Sequence, residues 1–269
     1  MGRYRNVPLG IVAKGMLMGI ANIIPGVSGG TIAVVLGLYD RIICSLSSLL
    51  SFSSEKKECI RFLLPLFAGA LISVFFLSSL IDHVYSEYMY QTLFFFMGLV
   101  IGSIPLVVSH HTDSRVTFSN IFWVSCGIAA ITAVSLADTS STASSGVGVI
   151  YMAAAGVFSA AAMIVPGFSG AFVLVAMGVY WELISAVERL DIIALAPVAF
   201  GGAIGIVVVT KIIEKVLKSH PAQFYSFILG LMVASVCDLY PGFPGGLVAS
   251  FSSLASAAAG IAISYNLGR

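Results

Sequence analysis

Charged side chains are scarce in this sequence. Asp, Glu, Lys and Arg together make up 9% of the 269 residues, whereas hydrophobic residue types make up 59%. Soluble domains carry roughly 25% charged residues, so this composition excludes a soluble globular protein and predicts a membrane-embedded one. The net charge is +1, and we expect no nucleic-acid partner.

Cysteine is also rare, and the four residues present form no metal-binding or redox motif. Cys44, Cys59, Cys126 and Cys237 show neither Cys-x-x-Cys spacing nor a His/Cys ligand pattern. Cysteine in an apolar helix usually serves as a small packing residue. We therefore expect no metal ion and no redox chemistry. We also expect no cofactor and no catalytic residue.

Apolar stretches of about 20 residues, long enough to cross a bilayer, define the predicted membrane spans. Six such stretches lie at 61–81, 91–109, 119–137, 192–210, 222–240 and 246–266. Two longer apolar regions, 8–50 and 148–190, each contain a Pro-Gly break near the middle. A polar, Ser/Thr-rich connector at 138–147 separates a first half, 1–137, from a second half, 148–269.

The two halves repeat each other. The residues Pro25, Gly26, Ser28, Gly29, Gly37 and Tyr39 recur 141 positions later. The residues Pro65, Gly69, Gly98 and Ser103 recur 132 positions later. The conserved order and the constant offsets predict an internal duplication.

The positions of Lys and Arg predict how the halves are oriented, because short cytoplasmic loops concentrate these residues. If each Pro-Gly region dips into the membrane and returns, a half has three crossings and the two halves are inverted. This arrangement leaves Arg189 alone on one face and collects on the other face Arg3, Arg5, Lys56, Lys57, Arg61, Arg115, Lys211, Lys215, Lys218 and Arg269. A single crossing for each Pro-Gly region would divide the same charges almost evenly.

We therefore predict an all-α polytopic membrane protein with an inverted-topology repeat. Each half has one re-entrant helical hairpin and three transmembrane helices, and both chain termini are cytoplasmic. The depth of the hairpins follows from Lys14 and Arg41, which lie 13.5 residues on either side of the first motif's centre. That separation is about 20 Å along straight helices, so a tip at the bilayer centre puts both cations in the headgroup layer. A spanning hairpin would bury each cation at a cost of roughly 3 kcal/mol.

The two Pro-Gly tips are the candidate functional site. Backbone N–H and C=O groups freed at membrane depth must face protein or water. Inverted repeats with broken helices at the midplane are typical of secondary transporters, which bind their substrate at the breaks. We predict that a helix starts at Gly29 and another at Gly170, and that their free N–H groups favour an anion. Hydroxyl donors come from Ser28, Thr31 and Ser169.

A simpler interpretation of the tips also stays open. The breaks can be kinks, with Ser28 and Ser169 capping the helices that follow. Lys14 and Arg41 either anchor helix ends in the headgroup layer or attract an anionic headgroup to the cytoplasmic mouth, and Asp40 is expected to neutralise part of the Arg41 charge. Glu182 is either a coupling-proton site or a solvated helix-end charge.

Both motifs resemble the signatures of a known family. The stretches KGMLMGIANIIPGVSGGTIAVVLGLYDRII (14–43) and MIVPGFSGAFVLVAMGVYWELI (163–184) are similar to those of polyprenyl-phosphate (undecaprenyl-phosphate) transporters. These are bacterial inner-membrane proteins, formerly catalogued as a domain of unknown function. The resemblance implies a flippase that returns the carrier lipid from the outer to the cytoplasmic leaflet for reuse in peptidoglycan synthesis.

The resemblance also implies which residues face the lipid headgroup. On the two tips these residues are Asn22, Gly26, Ser28, Gly29, Gly30 and Thr31, with Gly167, Ser169 and Gly170 opposite. Lys14 and Arg41 match basic positions of the first signature. The implied partners are polyprenyl phosphate and the bilayer, and a homo-oligomer is left open.

Two alternative functions stay open beside lipid transport. A secondary transporter of a small anion or ion would use the same tips. An intramembrane phosphatase for polyprenyl diphosphate also uses inverted re-entrant hairpins with Pro-Gly-Ser-type loops. Such a phosphatase needs an Arg in that loop and a nearby Glu-rich motif, and both Pro-Gly loops of this chain lack Arg.

Overall fold

The computed structural model describes residues 8–23, 27–51, 56–111, 117–135 and 148–267. These residues form twelve α-helices and no β-strand. In chain order the helices are α1 Pro8–Ile23, α2 Gly29–Val35, α3 Tyr39–Leu49, α4 Lys56–Glu87, α5 Met89–His111, α6 Phe118–Ser135, α7 Val149–Ile164, α8 Gly170–Ala176, α9 Tyr180–Glu188, α10 Ile192–Ser219, α11 Pro221–Asp238 and α12 Leu247–Leu267. The all-α prediction is confirmed. Gly26, the connector 138–147 and both chain termini lie outside the described residues.

Among the described residues, four helices are long and apolar enough to cross a membrane by themselves: α4, α10, α11 and α12. Each bent helix pair, α2 with α3 and α8 with α9, adds one span if it is counted as a single broken crossing. Large apolar side chains point outward along these helices, such as Phe76 at 79% exposure and Ile193 at 87% exposure. An apolar surface of this kind fits contact with lipid tails, so the protein is a multi-pass membrane protein.

The part of each Pro-Gly region that follows the break is bent, which differs from the straight helix used to place Arg41. The chain turns by 117° between α2 and α3 and by 116° between α8 and α9. Gly37, with φ 63°, and Gly178, with φ 71°, lie at these bends in a left-handed conformation that glycine adopts without a Cβ clash. The straight-helix distance for Arg41 is therefore wrong, because a bend separates this residue from the tip.

The first long helix pair of each half uses equivalent glycines. α1 packs along α4, and α7 packs along α10. A Cβ on Gly69 would lie 2.1 Å from the carbonyl oxygen of Val12, and a Cβ on Gly201 would lie 1.9 Å from that of Ala153. These residues are related by the same 132- and 141-residue offsets that relate the repeats in the sequence. Glycine allows such close approach between membrane helices.

Two further helix pairs connect the halves to each other. α5 of the first half packs along α12 of the second, and α6 of the first packs along α11 of the second. Gly98 meets the backbone of Ala257, and Gly230, its counterpart, meets the backbone of Val124. The helices of the two halves are therefore interleaved.

The two short tip helices differ in burial. In α2 every residue except Gly30 is buried, whereas in α8 only Gly170 and Leu174 are buried. α2 lies in the largest apolar cluster, together with side chains from α3, α4, α5 and α11. Helix α2 is thus buried in the core, and helix α8 is more accessible.

Candidate functional site

The tips of the two broken regions lie against each other. The backbone N–H of Gly167 donates a hydrogen bond to Thr31 Oγ1 at 2.8 Å. Gly30 also lies close to the end of α7, since a Cβ on it would be 3.4 Å from the carbonyl oxygen of Met163. Residues more than 130 positions apart in the chain therefore meet at one junction.

Side chains already bond two N–H groups of the first tip. α2 begins at Gly29, as predicted, and the N–H of Gly29 donates to Asn22 Oδ1 at 2.8 Å. The N–H of Gly30 donates to Ser28 Oγ at 3.2 Å. The capping interpretation is therefore correct for Ser28 in this conformation. An incoming anion reaches these two N–H groups only by displacing Asn22 and Ser28.

The second tip is arranged differently. α8 begins at Gly170, as predicted, but the Ser169 side chain makes no capping hydrogen bond to it. Instead, the hydroxyl of Ser159 on α7 donates to the carbonyl oxygen of Gly170 at 3.0 Å and ties the two helices together. Gly167 has φ 87°, a conformation that favours glycine. The capping interpretation therefore does not hold for Ser169.

The charged candidates do not join the contact between the tips. Lys14 is half-buried on α1, and Glu182 is exposed on α9. The guanidinium carbon of Arg41 lies 4.1 Å from the centre of the Phe62 ring, a cation–π contact. Asp40, next to Arg41 in the chain, accepts a hydrogen bond from the hydroxyl of Tyr225 on α11.

Contacts that no sequence pattern predicted attach the first bend to the second half. The hydroxyl of Tyr39, a residue only 4% exposed, donates to the carbonyl oxygen of Ile164 at 3.2 Å, next to the second tip. The ring of Tyr39 also stacks on Phe224, with centroids 6.2 Å apart. The only sequence signal at these positions is the repeated Gly-x-Tyr pattern at Gly37 and Gly178, which indicates the duplication but not the contacts.

Comparison with known proteins identifies the family. Residues 18–252 match the model of the VCA0040-like proteins, described as undecaprenyl phosphate translocase-like. The chain belongs to this family. The family resemblance inferred from the two motifs is thereby confirmed.

Two relatives of the chain carry the name polyprenyl-phosphate transporter. The one from Staphylococcus aureus (strain NCTC 8325 / PS 47) is 35% identical over 273 residues, which cover 96% of this chain and 95% of the relative. The one from Vibrio cholerae serotype O1 (strain ATCC 39315 / El Tor Inaba N16961) is 26% identical over 239 residues, which cover 85% of this chain and 76% of the relative. No solved structure matches the chain.

The match to the undecaprenyl phosphate translocase-like family covers both tips and Arg41 but begins after Lys14. Within the described part of the chain, no three His, Cys, Asp or Glu side chains lie close enough together to hold a metal ion. The groups that the tips offer to a ligand are backbone N–H groups, three hydroxyls and one amide. Such groups suit an anion with several acceptor oxygens.

Proposed function

We propose that this protein transports polyprenyl phosphate, and undecaprenyl phosphate in the cell, from the outer to the cytoplasmic leaflet of the bacterial inner membrane. The returned carrier lipid would be reused in peptidoglycan synthesis. The observation that carries the proposal is the hydrogen bond between Thr31 and Gly167, which joins two Pro-Gly tips in a chain of the undecaprenyl phosphate translocase-like family. Both relatives named as polyprenyl-phosphate transporters support the choice of substrate.

The phosphate would bind by replacing neutral acceptors at the junction of the tips. The N–H groups of Gly29, Gly30 and Gly167 now donate to the side-chain oxygens of Asn22, Ser28 and Thr31. A hydrogen bond to a charged group contributes about 1.5–3 kcal/mol, against about 1 kcal/mol for a neutral pair. The freed hydroxyls can turn from acceptor to donor and bond the same phosphate.

The binding energy would come from local donors more than from helix dipoles. α2 and α8 have seven residues each, so few peptide dipoles add along either axis. Gly26, Ser169 and Gly170 would complete the polar lining, and their small size would let the headgroup approach the backbone. The process involves no covalent step, so we propose a transporter and no enzyme.

The prenyl tail would stay in the bilayer while the headgroup crosses between the tips. Re-entrant hairpins that enter from opposite faces would offer one tip to each leaflet, which is the requirement for alternating access. The equivalent glycine contacts of α1 with α4 and of α7 with α10 support this scheme, because they give the two halves the same internal construction.

Charged residues would serve the two mouths of the pathway. Lys14 and Arg41 would attract the phosphate at the cytoplasmic mouth, and Glu182 would carry a coupling proton at the outer mouth. A Glu182→Gln variant should still exchange lipid but lose any acceleration by an imposed proton gradient. An unchanged response to the gradient would remove Glu182 from the mechanism.

The test is lipid exchange in vesicles that contain the purified protein. A fluorescent polyprenyl phosphate placed in one leaflet should reach the other in a protein-dependent way, and neutral polyprenol should not. Lack of exchange above protein-free vesicles would contradict the proposal. Release of phosphate from polyprenyl diphosphate would indicate a phosphatase, and uptake of a labelled anion without lipid exchange would indicate a solute transporter.

A further inference from the structure

A polar cluster lies where α3 packs against the end of α10. The Ser47 hydroxyl donates to the Glu214 carboxylate, and the other oxygen of that carboxylate lies 2.6 Å from Lys218 Nζ. Lys211 Nζ donates to the Ser47 carbonyl oxygen at 3.0 Å and to the Ser51 hydroxyl. Ser47 is 1% exposed, so part of the cluster is buried between the two helices. We call these five residues the α3–α10 cluster.

The cluster has the composition of an anion site that is filled by its own carboxylate. It combines two ammonium groups and two hydroxyls with one carboxylate. Ser47 and Lys218 bond Glu214, whereas Lys211 is bonded to uncharged oxygens. Two Lys and one Glu leave a formal charge of +1. A phosphate monoester carries about −1.5 to −2 at pH 7, so it would balance both ammonium groups if it took the place of Glu214.

The position of the cluster fits the headgroup layer of one leaflet. α10 has 28 residues and is therefore about 42 Å long, longer than the hydrocarbon core of about 30 Å. Its last two and a half turns carry Lys211, Glu214 and Lys218. If Ile192 lies at one edge of the core, the other edge lies near Lys211, and Glu214 and Lys218 extend beyond it. In the proposed topology this end of α10 is cytoplasmic.

The opposite face of the protein has no such cluster in its sequence. The positions equivalent to Lys211, Glu214 and Lys218 are Ser79, Asp82 and Ser86, and the position equivalent to Ser47 is Glu188. These replacements remove both cations and add an acid. The duplication therefore preserved the tips but produced the cluster on one side only.

We propose that the α3–α10 cluster is a second phosphate site, which receives the headgroup at the cytoplasmic mouth after the tips release it. The site rests on the proposed function, and its ligand class is a phosphate monoester, either a lipid headgroup or free phosphate. In the empty protein Glu214 occupies the site. When phosphate arrives, Glu214 moves aside, and Ser47, Lys211 and Lys218 donate to the phosphate oxygens. A site present on one side only would favour unloading into the cytoplasmic leaflet.

Substitutions that should change the phosphate affinity in opposite directions test this assignment. Binding is measured on the full-length protein with two probes, radiolabelled inorganic phosphate and radiolabelled polyprenyl phosphate. Glu214→Gln removes the internal competitor and should tighten binding about tenfold. Lys211→Gln should weaken binding about tenfold. Ser47→Ala removes a hydroxyl donor without changing the charge, and it should also weaken binding. Lys215→Gln is the matched control, because Lys215 is exposed on the same helix outside the cluster.

The outcomes separate a ligand site from a structural contact. Opposite effects of Glu214→Gln and Lys211→Gln on polyprenyl phosphate support the site, whether or not inorganic phosphate responds too. The site is overturned if both substitutions change the affinity in the same direction, or if neither changes it more than Lys215→Gln does. It is also overturned if only the binding of inorganic phosphate responds. Lipid exchange by the wild-type protein is measured in parallel. If the wild type exchanges lipid but the variants all bind phosphate equally well, only the second site is refuted. If the wild type exchanges no lipid, the proposed function is refuted.

Discussion

At the scale of single residues, the hydroxyl of Thr31 carries the contact between the two tips. It accepts the hydrogen bond from Gly167 N–H at 2.8 Å and is itself 3% exposed. A hydroxyl can accept from this N–H in the empty protein and donate to a phosphate in the loaded one. A side chain that only closed the junction would not need this second ability.

Thr31→Val should therefore lower lipid exchange with little change in shape. Valine is close in size to threonine but neither accepts from Gly167 nor donates to phosphate. Loss of a bond to a charged group, about 1.5–3 kcal/mol, corresponds to a fall of about tenfold or more in apparent affinity. The measurement is the concentration dependence of exchange in vesicles. Thr31→Ser keeps the hydroxyl and should retain most of the activity; equal activity in all three proteins would contradict the role of the hydroxyl.

Gly167 should be sensitive to the smallest possible side chain. Its φ of 87° disfavours any residue with a Cβ, and that Cβ would lie 3.0 Å from the Cβ of Leu231. Gly167→Ala should destabilise the protein by about 1–2 kcal/mol and should reduce exchange because the N–H moves. Thermal unfolding in detergent measures the first effect. The control is Gly245→Ala, where no atom lies within 4 Å of the added Cβ; equal stability of both variants would refute the strain at Gly167.

At the scale of helices, the sequence predicts the breaks well and the bends poorly. Pro-Gly signals and hydropathy act over short stretches, so the helix starts at Gly29 and Gly170 follow from the local sequence. The seven-residue helices α2 and α8 are too short to show in a hydropathy window, and the bends at Gly37 and Gly178 divide stretches that read as continuous helix. The α3–α10 cluster depends on which helices pack together, and no local pattern determines that.

The interface of α7 with α10 gives a paired test of helix packing. Gly201→Ala would place a Cβ 1.9 Å from a backbone oxygen of α7, so the helices must separate, at a cost of roughly 1–3 kcal/mol. Gly202→Ala meets nothing closer than 3.8 Å and should leave stability unchanged or raise it by up to about 1 kcal/mol, since alanine favours the helix. Thermal unfolding of both variants decides the matter. Equal thermal stability of the two variants would contradict the packing of α7 against α10 at Gly201.

At the scale of the whole molecule, the helices of the two halves interleave and the two tips are in direct contact. The inverted orientation of the halves is a prediction from the positions of Lys and Arg. Single-cysteine labelling in a cysteine-free background tests it. A membrane-impermeant maleimide should label Arg189→Cys in intact cells and Lys57→Cys only after the membrane is opened. Labelling of both from outside would show that the first Pro-Gly region crosses the membrane once, and the halves would then be parallel.

The measurement that tests the central claim most directly is photo-crosslinking of the headgroup. A polyprenyl phosphate with a photoreactive group next to the phosphate is bound to the wild-type protein, irradiated and mapped by mass spectrometry. We expect adducts in the two tips, between residues 22 and 31 and between residues 163 and 171. These adducts should disappear when unlabelled polyprenyl phosphate competes. The central claim would be contradicted if the adducts that unlabelled lipid removes lay only on the outward-facing surfaces of α10 and α12, with none in either tip.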